Sequence, residues 1–359
     1  MKHRNFLIAA LFILVISACK KNPDDVAAPI IPSGDPQNVT TFAGSGTAGA
    51  ADGTSTAASF SGPRGLAIDA SGNIYVADFG NHTIRKITPA GVVTTVAGNG
   101  NPGFVNGTGT GASFNAPRGV AVDAFGNVFV ADWNNHAIRK ITPTGLVTTF
   151  AGTGSVGAVN ATGTSASFNC PSALAFDRSG NLYAVDTGNR LIRMITSAGV
   201  VTTLAGSGNA GSANGTGTAA TFNEPFGIAI NASGDIIVAD RSNHLIRKIT
   251  PAGVVTTLAS SGTIGSADGL GTAASFYNPY CITADPYGNL YVTDWANHLV
   301  RRIAASGEVT TLAGGSSQGS SDETGANARF NFPTGIAVDS QGNLYVSDSN
   351  NNTIRKISY

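Results

Sequence analysis

Charge is what this chain has least of. Only 12% of its 359 residues are Asp, Glu, Lys or Arg, with 21 basic against 21 acidic and no block of like charges. A nucleic-acid surface needs a basic stripe to displace counterions, so nucleic acid is not an expected partner. Cysteine is nearly as scarce, with three residues at 19, 170 and 281. Cys170 and Cys281 fall at different points of the chain's internal repeat, two repeat units apart, and are expected as small core residues or free thiols rather than a disulfide framework. The sequence has no GxSxG, no HExxH and no phosphate loop, and stretches such as NGTGT precede no helix, so they read as turn punctuation. What it has in quantity is glycine, 46 residues, the composition of a turn-rich globular chain.

Long apolar runs are also missing, except one. Phe6 to Ile16 follows Lys2 and Arg4 and leads into Ile16-Ser17-Ala18-Cys19. This reads as an export signal, too short for a comfortable membrane span. Ile16 to Cys19 resembles a bacterial lipobox, in which cleavage before the cysteine is followed by lipid attachment to it; ordinary secretion with an incidental cysteine is the other reading. Cys19 stands where small-residue cleavage signals end, and Lys20 to Pro36, with four prolines and no periodicity, reads as a flexible tether. The expected organisation is a signal peptide at 1–18, a lipid anchor at Cys19 with linker to 37, and one folded domain over 38–359. The expected location is the bacterial cell envelope, at the outer membrane or cell surface.

The stretch VADWNNHAIRKI, from Val130, places Asp, Asn, His, Arg and Trp within a few positions, the residue types of an active site. It occurs six times, anchored by Asp78, Asp132, Asp186, Asp240, Asp294 and Asp348, each 54 residues after the last. A period without drift means one supersecondary unit copied whole, so the Asp-x-x-Asn-His core is expected to be structural. In the second copy, four runs rich in β-branched and aromatic residues are closed by turn residues: Gly119 to Asp123, Val128 to Asp132, Ala137 to Thr142 and Leu146 to Ala151. Four antiparallel strands make one propeller blade, and six in a ring bury both faces of every sheet. The expected fold is therefore all-β, a six-bladed β-propeller of four-stranded antiparallel blades. Asn38 to Gly44 matches a fourth strand while Tyr359 follows a third, so the N-terminal strand is expected to complete the last blade. The connections of some twenty residues must cross ~14 Å from outermost to innermost strand, and are expected to do so without pairing. Phe60, Phe114, Phe168, Phe222, Phe276 and Phe330, each three residues before a proline, are expected to pin these crossings by burial.

The pattern PxGxAVDxxGNxYVADxxNHxIRKI resembles the NHL repeat, across essentially all of residues 38–359. That resemblance implies a propeller used mostly to bind proteins, nucleic acid or other ligands, and in a few relatives for amidating-lyase or lactonase-like chemistry. It also implies that the repeated Asp, Asn and Arg tie strands to turns. The third copy has Arg190 for His and Met194 for Lys, and the sixth has Asn352 for His, which marks the His as a replaceable turn residue.

If identical positions build the scaffold, function belongs where the six copies differ on one face. The turn between the second and third strands carries Phe79, Trp133, Thr187, Arg241, Trp295 and Ser349; the residue after the strand-opening proline is Arg64, Arg118, Ser172, Phe226, Tyr280 or Thr334. Both positions are expected on one face of the ring, and the residues flanking the proline, Gly62/Arg64, Ala116/Arg118, Cys170/Ser172, Glu224/Phe226, Asn278/Tyr280 and Phe332/Thr334, are expected to ring one mouth of the central channel. Arg64, Phe79, Arg118, Trp133, Phe226, Arg241, Tyr280 and Trp295 are the candidate ligand-binding set, because aromatic and Arg side chains on a concave rim are the usual anchors of a protein or glycan partner. The other reading is that the aromatics merely cover turns of adjoining blades. Arg64 and Arg118, on adjacent blades, are placed either to clamp an anionic group or to pair with carboxylates. A lactonase-like enzyme would need oxygens converging on calcium, and Glu224 and Asn278 are the two candidates, without a third acidic partner. An amidating lyase would need inward histidines for zinc, whereas His82, His136, His244 and His298 sit on four separate blades. The third possibility is a lipid-anchored structural spacer. The expectation is a monomeric binding propeller with no required cofactor, calcium being the one conceivable addition.

Overall fold

The structure, a computed structural model, describes residues 37–315 and 317–358. Cys19 and the expected signal and tether through residue 36 lie outside the described residues. Among the described residues no helix is long and apolar enough to cross a membrane.

Six sheets follow one another along the chain, five of them built from consecutive strands and the sixth completed by the N-terminal strand. Blade 2 shows the plan, with strands Pro117–Val122, Val128–Asp132, Ala137–Ile141 and Leu146–Ala151 paired antiparallel in that order. Its first strand begins at the proline, two residues earlier than the pattern of β-branched residues suggests. Proline is tolerated at a strand's first position because no ladder donor is needed there. The first turn is set by Asp123, whose Oδ1 accepts from the amides of Phe125 and Asn127 at 2.9 and 2.8 Å, with Gly126 at φ 77°. The innermost strand of every blade has a partner on one side only, and these six strands touch in a closed ring, Pro333–Val338 of blade 6 lying against Pro63–Ile68 of blade 1. Their free edges face a central channel.

Ring closure is as the sequence implies. Asn38–Ala43 pairs antiparallel with Thr353–Ser358 as the outermost strand of blade 6, from Asn38 opposite Ser358 to Ala43 opposite Ile354. Val39 and Ala43 are fully buried there.

The crossings differ from expectation. They do pair: Gly53–Thr54, Gly107–Thr108, Gly215–Thr216 and Gly269–Leu270 each add a short fifth strand outside the outermost strand of the blade they are about to enter. Isolated bridges, Thr162 to Val200 and Asn38 to Thr324, mark the same contact in blades 3 and 6. The physical reason is the exposed edge of the outermost strand, which offers backbone partners the crossing backbone would otherwise lack. The six phenylalanines are fully buried beneath these crossings.

The repeated polar core explains how the crossings are held. In blade 2, Arg139 is fully buried and donates from Nη1 to Asp132 Oδ2 at 2.8 Å and to Ser113 O at 3.1 Å, and from Nη2 to Val105 O at 3.0 Å and Asn106 Oδ1 at 2.8 Å. Asn135 donates to Asp132 Oδ2 at 2.8 Å and Gly103 O at 2.7 Å, and Asp132 Oδ1 accepts the Asn115 amide at 2.8 Å. Arg139 also lies over the Phe114 ring, 5.3 Å from its centroid. Three side chains of one β-hairpin thus satisfy backbone groups of a long connection that has little regular structure of its own. The clamp recurs in all six blades, with the Arg–Asp contact at 2.8 to 3.0 Å. The second Arg partner alternates: Asp52, Asp268 and Asp322 in blades 1, 5 and 6, and Asn106, Asn160 and Asn214 in blades 2, 3 and 4. The Asp-Asn-Arg constellation is therefore scaffold, as the recurrence implies for Asp and Asn and the resemblance to the NHL repeat implies for Arg. Cys170 and Cys281 are free thiols.

Candidate functional site

The turn between the second and third strands and the end of the crossing meet at one face, since the Asn134 amide donates to Asn115 O at 3.1 Å. Two positions there are held in the left-handed region. One is the turn residue His82, His136, Arg190, His244, His298 or Asn352; the other precedes the proline, at Gly62, Ala116, Cys170, Glu224, Asn278 or Phe332. The two are joined across blades. His82 Nδ1 accepts the Ala116 amide at 2.9 Å, and His136, His244 and His298 accept the amides of Cys170, Asn278 and Phe332, each at 3.1 Å. Asn352 Oδ1 accepts the Gly62 amide at 2.9 Å, so the latch also spans the closing seam. Sequence comparison of the copies marks this His as a replaceable turn residue; the structure shows an inter-blade latch. Any side chain with an acceptor that tolerates positive φ serves, which is why Asn352 substitutes. Arg190 cannot, because guanidinium has no acceptor, and it donates to Gly208 O instead.

The latch requires an unprotonated Nδ1, and burial lowers the pKa of all four histidines below the ordinary 6.5. A depressed pKa contributes stability that is complete above 6.5 and lost as pH falls through the folded value. The anchoring carboxyls run oppositely. Burial, against hydrogen bonds and the Arg partner, raises Asp132, Asp186, Asp240, Asp294 and Asp348 from 3.8 to about 6, so their contribution is complete below 3.8 and lost as pH rises through about 6. Comparing His298→Asn with the parent cancels the carboxyls. Asn keeps the acceptor and tolerates positive φ, so the two proteins should unfold alike at pH 7, with the variant gaining relative stability toward pH 5 in urea titrations. A difference independent of pH would show that the imidazole does not act as the acceptor.

The candidate ligand-binding side chains do not stand apart around a ring; they converge. Trp133 and Phe226 have centroids 5.8 Å apart, Phe226 and Tyr280 4.9 Å, and Tyr280 and Trp295 6.5 Å, nearly parallel. Phe332 continues the row, 4.5 Å from Trp295. Phe226 and Tyr280 are buried by this stacking, whereas Phe79, Trp133 and Trp295 keep part of their surface exposed. Three guanidiniums interleave with the rings. Arg118 lies 4.0 Å from the Trp133 centroid, 4.7 Å from Phe226, 5.6 Å from Phe79 and 5.7 Å from Tyr280. Arg64 lies over Phe79 and Tyr280 at 5.1 and 5.8 Å, and Arg241 over Phe226 and Trp295 at 5.0 and 5.1 Å.

Blades 3 and 6 make the convergence possible. There the same two positions carry small hydroxyl residues that turn away from the mouth: Ser172 and Thr187 donate to Phe226 O and Pro225 O at 2.7 Å, and Thr334 and Ser349 bond to Pro63 O and to each other. Side chains from blades 2 and 4, and from blades 5 and 1, meet over these low blades. Below them the channel holds a cavity of ≈ 330 Å³ lined by the inner strands, and Arg118 is the one charged residue among those lining it. Burial lowers the Arg118 pKa; Tyr280 opposes that shift, while Arg64 and Arg241 add to it.

Glu224, one of the two candidate calcium ligands with Asn278, is engaged by protein partners. The Glu224 carboxylate accepts from Arg241 Nη1 at 2.8 Å and from Ser242 Oγ at 2.7 Å, so its charge is already matched. Among the described residues no group of three or more His, Cys, Asp or Glu could hold a metal ion. Three guanidiniums at the same mouth would also repel a divalent cation. Glu224, paired in this way beside three guanidiniums, does not fit a calcium ligand.

A closed ring of six repeated four-strand units, capped at one mouth by stacked aromatic and Arg side chains, defines a β-propeller. Residues 60–87, 114–141, 222–249 and 330–357, in blades 1, 2, 4 and 6, match the family model of the NHL repeat. The chain is a six-bladed propeller carrying NHL repeats. NHL repeat-containing protein 2 of Bos taurus is 30% identical over 334 residues, covering 82% of this chain and 46% of that protein. The chain thus spans less than half the length of this curated relative. Among solved structures, an auxiliary nutrient binding protein from Bacteroides thetaiotaomicron superposes with a TM-score of 0.68 at 20% identity, covering 90% of this chain and 76% of that one. A gluconolactonase from Xanthomonas campestris gives 0.58 at 13% identity, covering 90% and 95%. At these identities both show the fold alone.

Proposed function

We propose that this chain is an exported, lipid-anchored binding propeller that takes a protein or glycan ligand at its aromatic and Arg-bearing mouth. The observation that carries the reading is the convergence of Arg64, Arg118 and Arg241 with Phe79, Trp133 and Trp295, all half-buried, on one concave face. Rigid rings with part of their surface open bury much area on contact at little entropic cost. The name of the Bacteroides neighbour, an auxiliary nutrient binding protein, supports such use of this fold. The sequence at Ile16 to Cys19 supports anchoring through Cys19 in the bacterial envelope, at the outer membrane or cell surface. The solved gluconolactonase keeps a hydrolase in view, but the pairing of Glu224 with Arg241 weighs against a calcium centre built on Glu224 and Asn278.

Glycan-array and partner-capture binding by the purified protein, beside Trp133→Ala and Trp295→Ala, tests the reading. Each variant should lose at least ~1 kcal/mol of binding, about a fivefold weaker affinity, with an unchanged melting temperature. Unaltered capture by both variants would favour a spacer over a receptor.

A further inference from the structure

We propose that the mouth holds an oxyanion, the carboxylate, sulfate or phosphate group of a ligand, on Arg64 and Arg118. This inference rests on the binding reading above and names the chemistry its ligand must carry.

Three guanidiniums meet at the mouth and one carboxylate answers them. Glu224 is taken by Arg241 at 2.8 Å. Among the described residues neither Arg64 nor Arg118 forms an ion pair, and their shared polar neighbour is the Tyr280 hydroxyl, 3.4 Å from Arg64 Nη1. The two lie over the same rings, Phe79 and Tyr280, all within 5.8 Å of the centroids, so two like charges are held close at a partly desolvated site. A scaffold that merely covered its turns would not gain from that repulsion.

The stacking geometry leaves the right atoms free. A guanidinium lying on an aromatic face uses its π surface, and its in-plane N–H groups remain available to oxygen acceptors, singly or as a bidentate pair. The indole N–H of Trp295 is buried without a hydrogen-bond partner, and so are the Nε–H groups of Arg64 and Arg118, a feature they share with the clamp arginines, which differ in having an Asp on Nη1. Elsewhere the same protein matches every buried Arg of the clamp with an Asp at 3.0 Å or less. At the mouth Arg64 and Arg118 stack on aromatic rings without such a carboxylate. An oxyanion would supply the missing charge and acceptors, with the rest of the ligand against Trp133.

The test is calorimetric titration and thermal shift of the full-length chain with inorganic phosphate, sulfate and glucuronate, against chloride at matched ionic strength and glucose as the neutral sugar. At least one oxyanion should raise the melting temperature saturably while chloride and glucose do not, and its affinity should fall on the order of tenfold or more in Arg64→Gln and Arg118→Gln. A response to glucuronate, sulfate or phosphate identifies which oxyanion the site prefers. If none of the three exceeds chloride, the proposal is overturned by the parent protein alone, whether or not the variants fold. Undiminished affinity in both Arg variants overturns it as well. Should the oxyanions fail while Trp133→Ala and Trp295→Ala still abolish capture of a partner, the binding face stands and only its proposed anion chemistry is lost.

Discussion

Replacing Asp132 with Ala should lower the free energy of unfolding by about 3–5 kcal/mol. The aspartate is fully buried, and its loss strands Arg139, also fully buried, whose other partners are Ser113 O, Val105 O and the neutral Asn106. The equivalent change in blade 5 should cost less. Arg301 retains Asp268 at 2.7 Å when Asp294 is removed, so part of its charge remains compensated. Urea titrations of the two variants side by side measure the difference. Equal losses would mean that the half-exposed aspartates at this second position are screened by solvent and contribute little.

Deleting Asn38–Ala43 should have the largest effect of any change considered. Blade 6 would keep three strands, and the edge of Thr353–Ser358, together with Ile354 and Ile357, now fully buried, would face solvent. At about 1 kcal/mol net per lost backbone pairing, six residues are worth on the order of 5 kcal/mol, a large share of a typical domain's 5–15 kcal/mol. Loss of cooperative melting and a tendency to associate through the open edge are the expected results by circular dichroism and size-exclusion chromatography. A peptide spanning residues 37–44 added in trans should restore melting in a concentration-dependent way. A truncated protein that melts as the intact one does would show that the strand is not what closes the ring.

Legibility in the sequence followed the repeat. Positions that are the same in every blade could be read from periodicity: strands, turns, the N-terminal strand's partner, and the scaffold role of Asp132 and Asn135; that Arg139 ties strand to turn was implied by the resemblance to the NHL repeat. Contacts between blades could not. The His latch joins residues 34 apart, as His136 and Cys170 are, and nothing in local pattern indicates which amide a turn imidazole will meet. A weak signal existed, since the only natural replacements are Asn352, which accepts, and Arg190, which cannot. The crossings were misjudged for a related reason: Gly-Thr dipeptides have poor strand propensity, and they pair because an adjoining edge is there to receive them.

The candidate mouth shows the same division. Sequence alone located the eight side chains at variable positions on a common face. Only the tertiary structure decided that they stack across the low blades 3 and 6, that Glu224 serves Arg241 rather than a metal, and that Arg64 and Arg118 are left without a carboxylate. The physical reason is that a repeat dictates the unit and its neighbours through short-range pairing, while the mouth is built from one residue per blade, and whether such residues meet depends on their lengths summed across the ring.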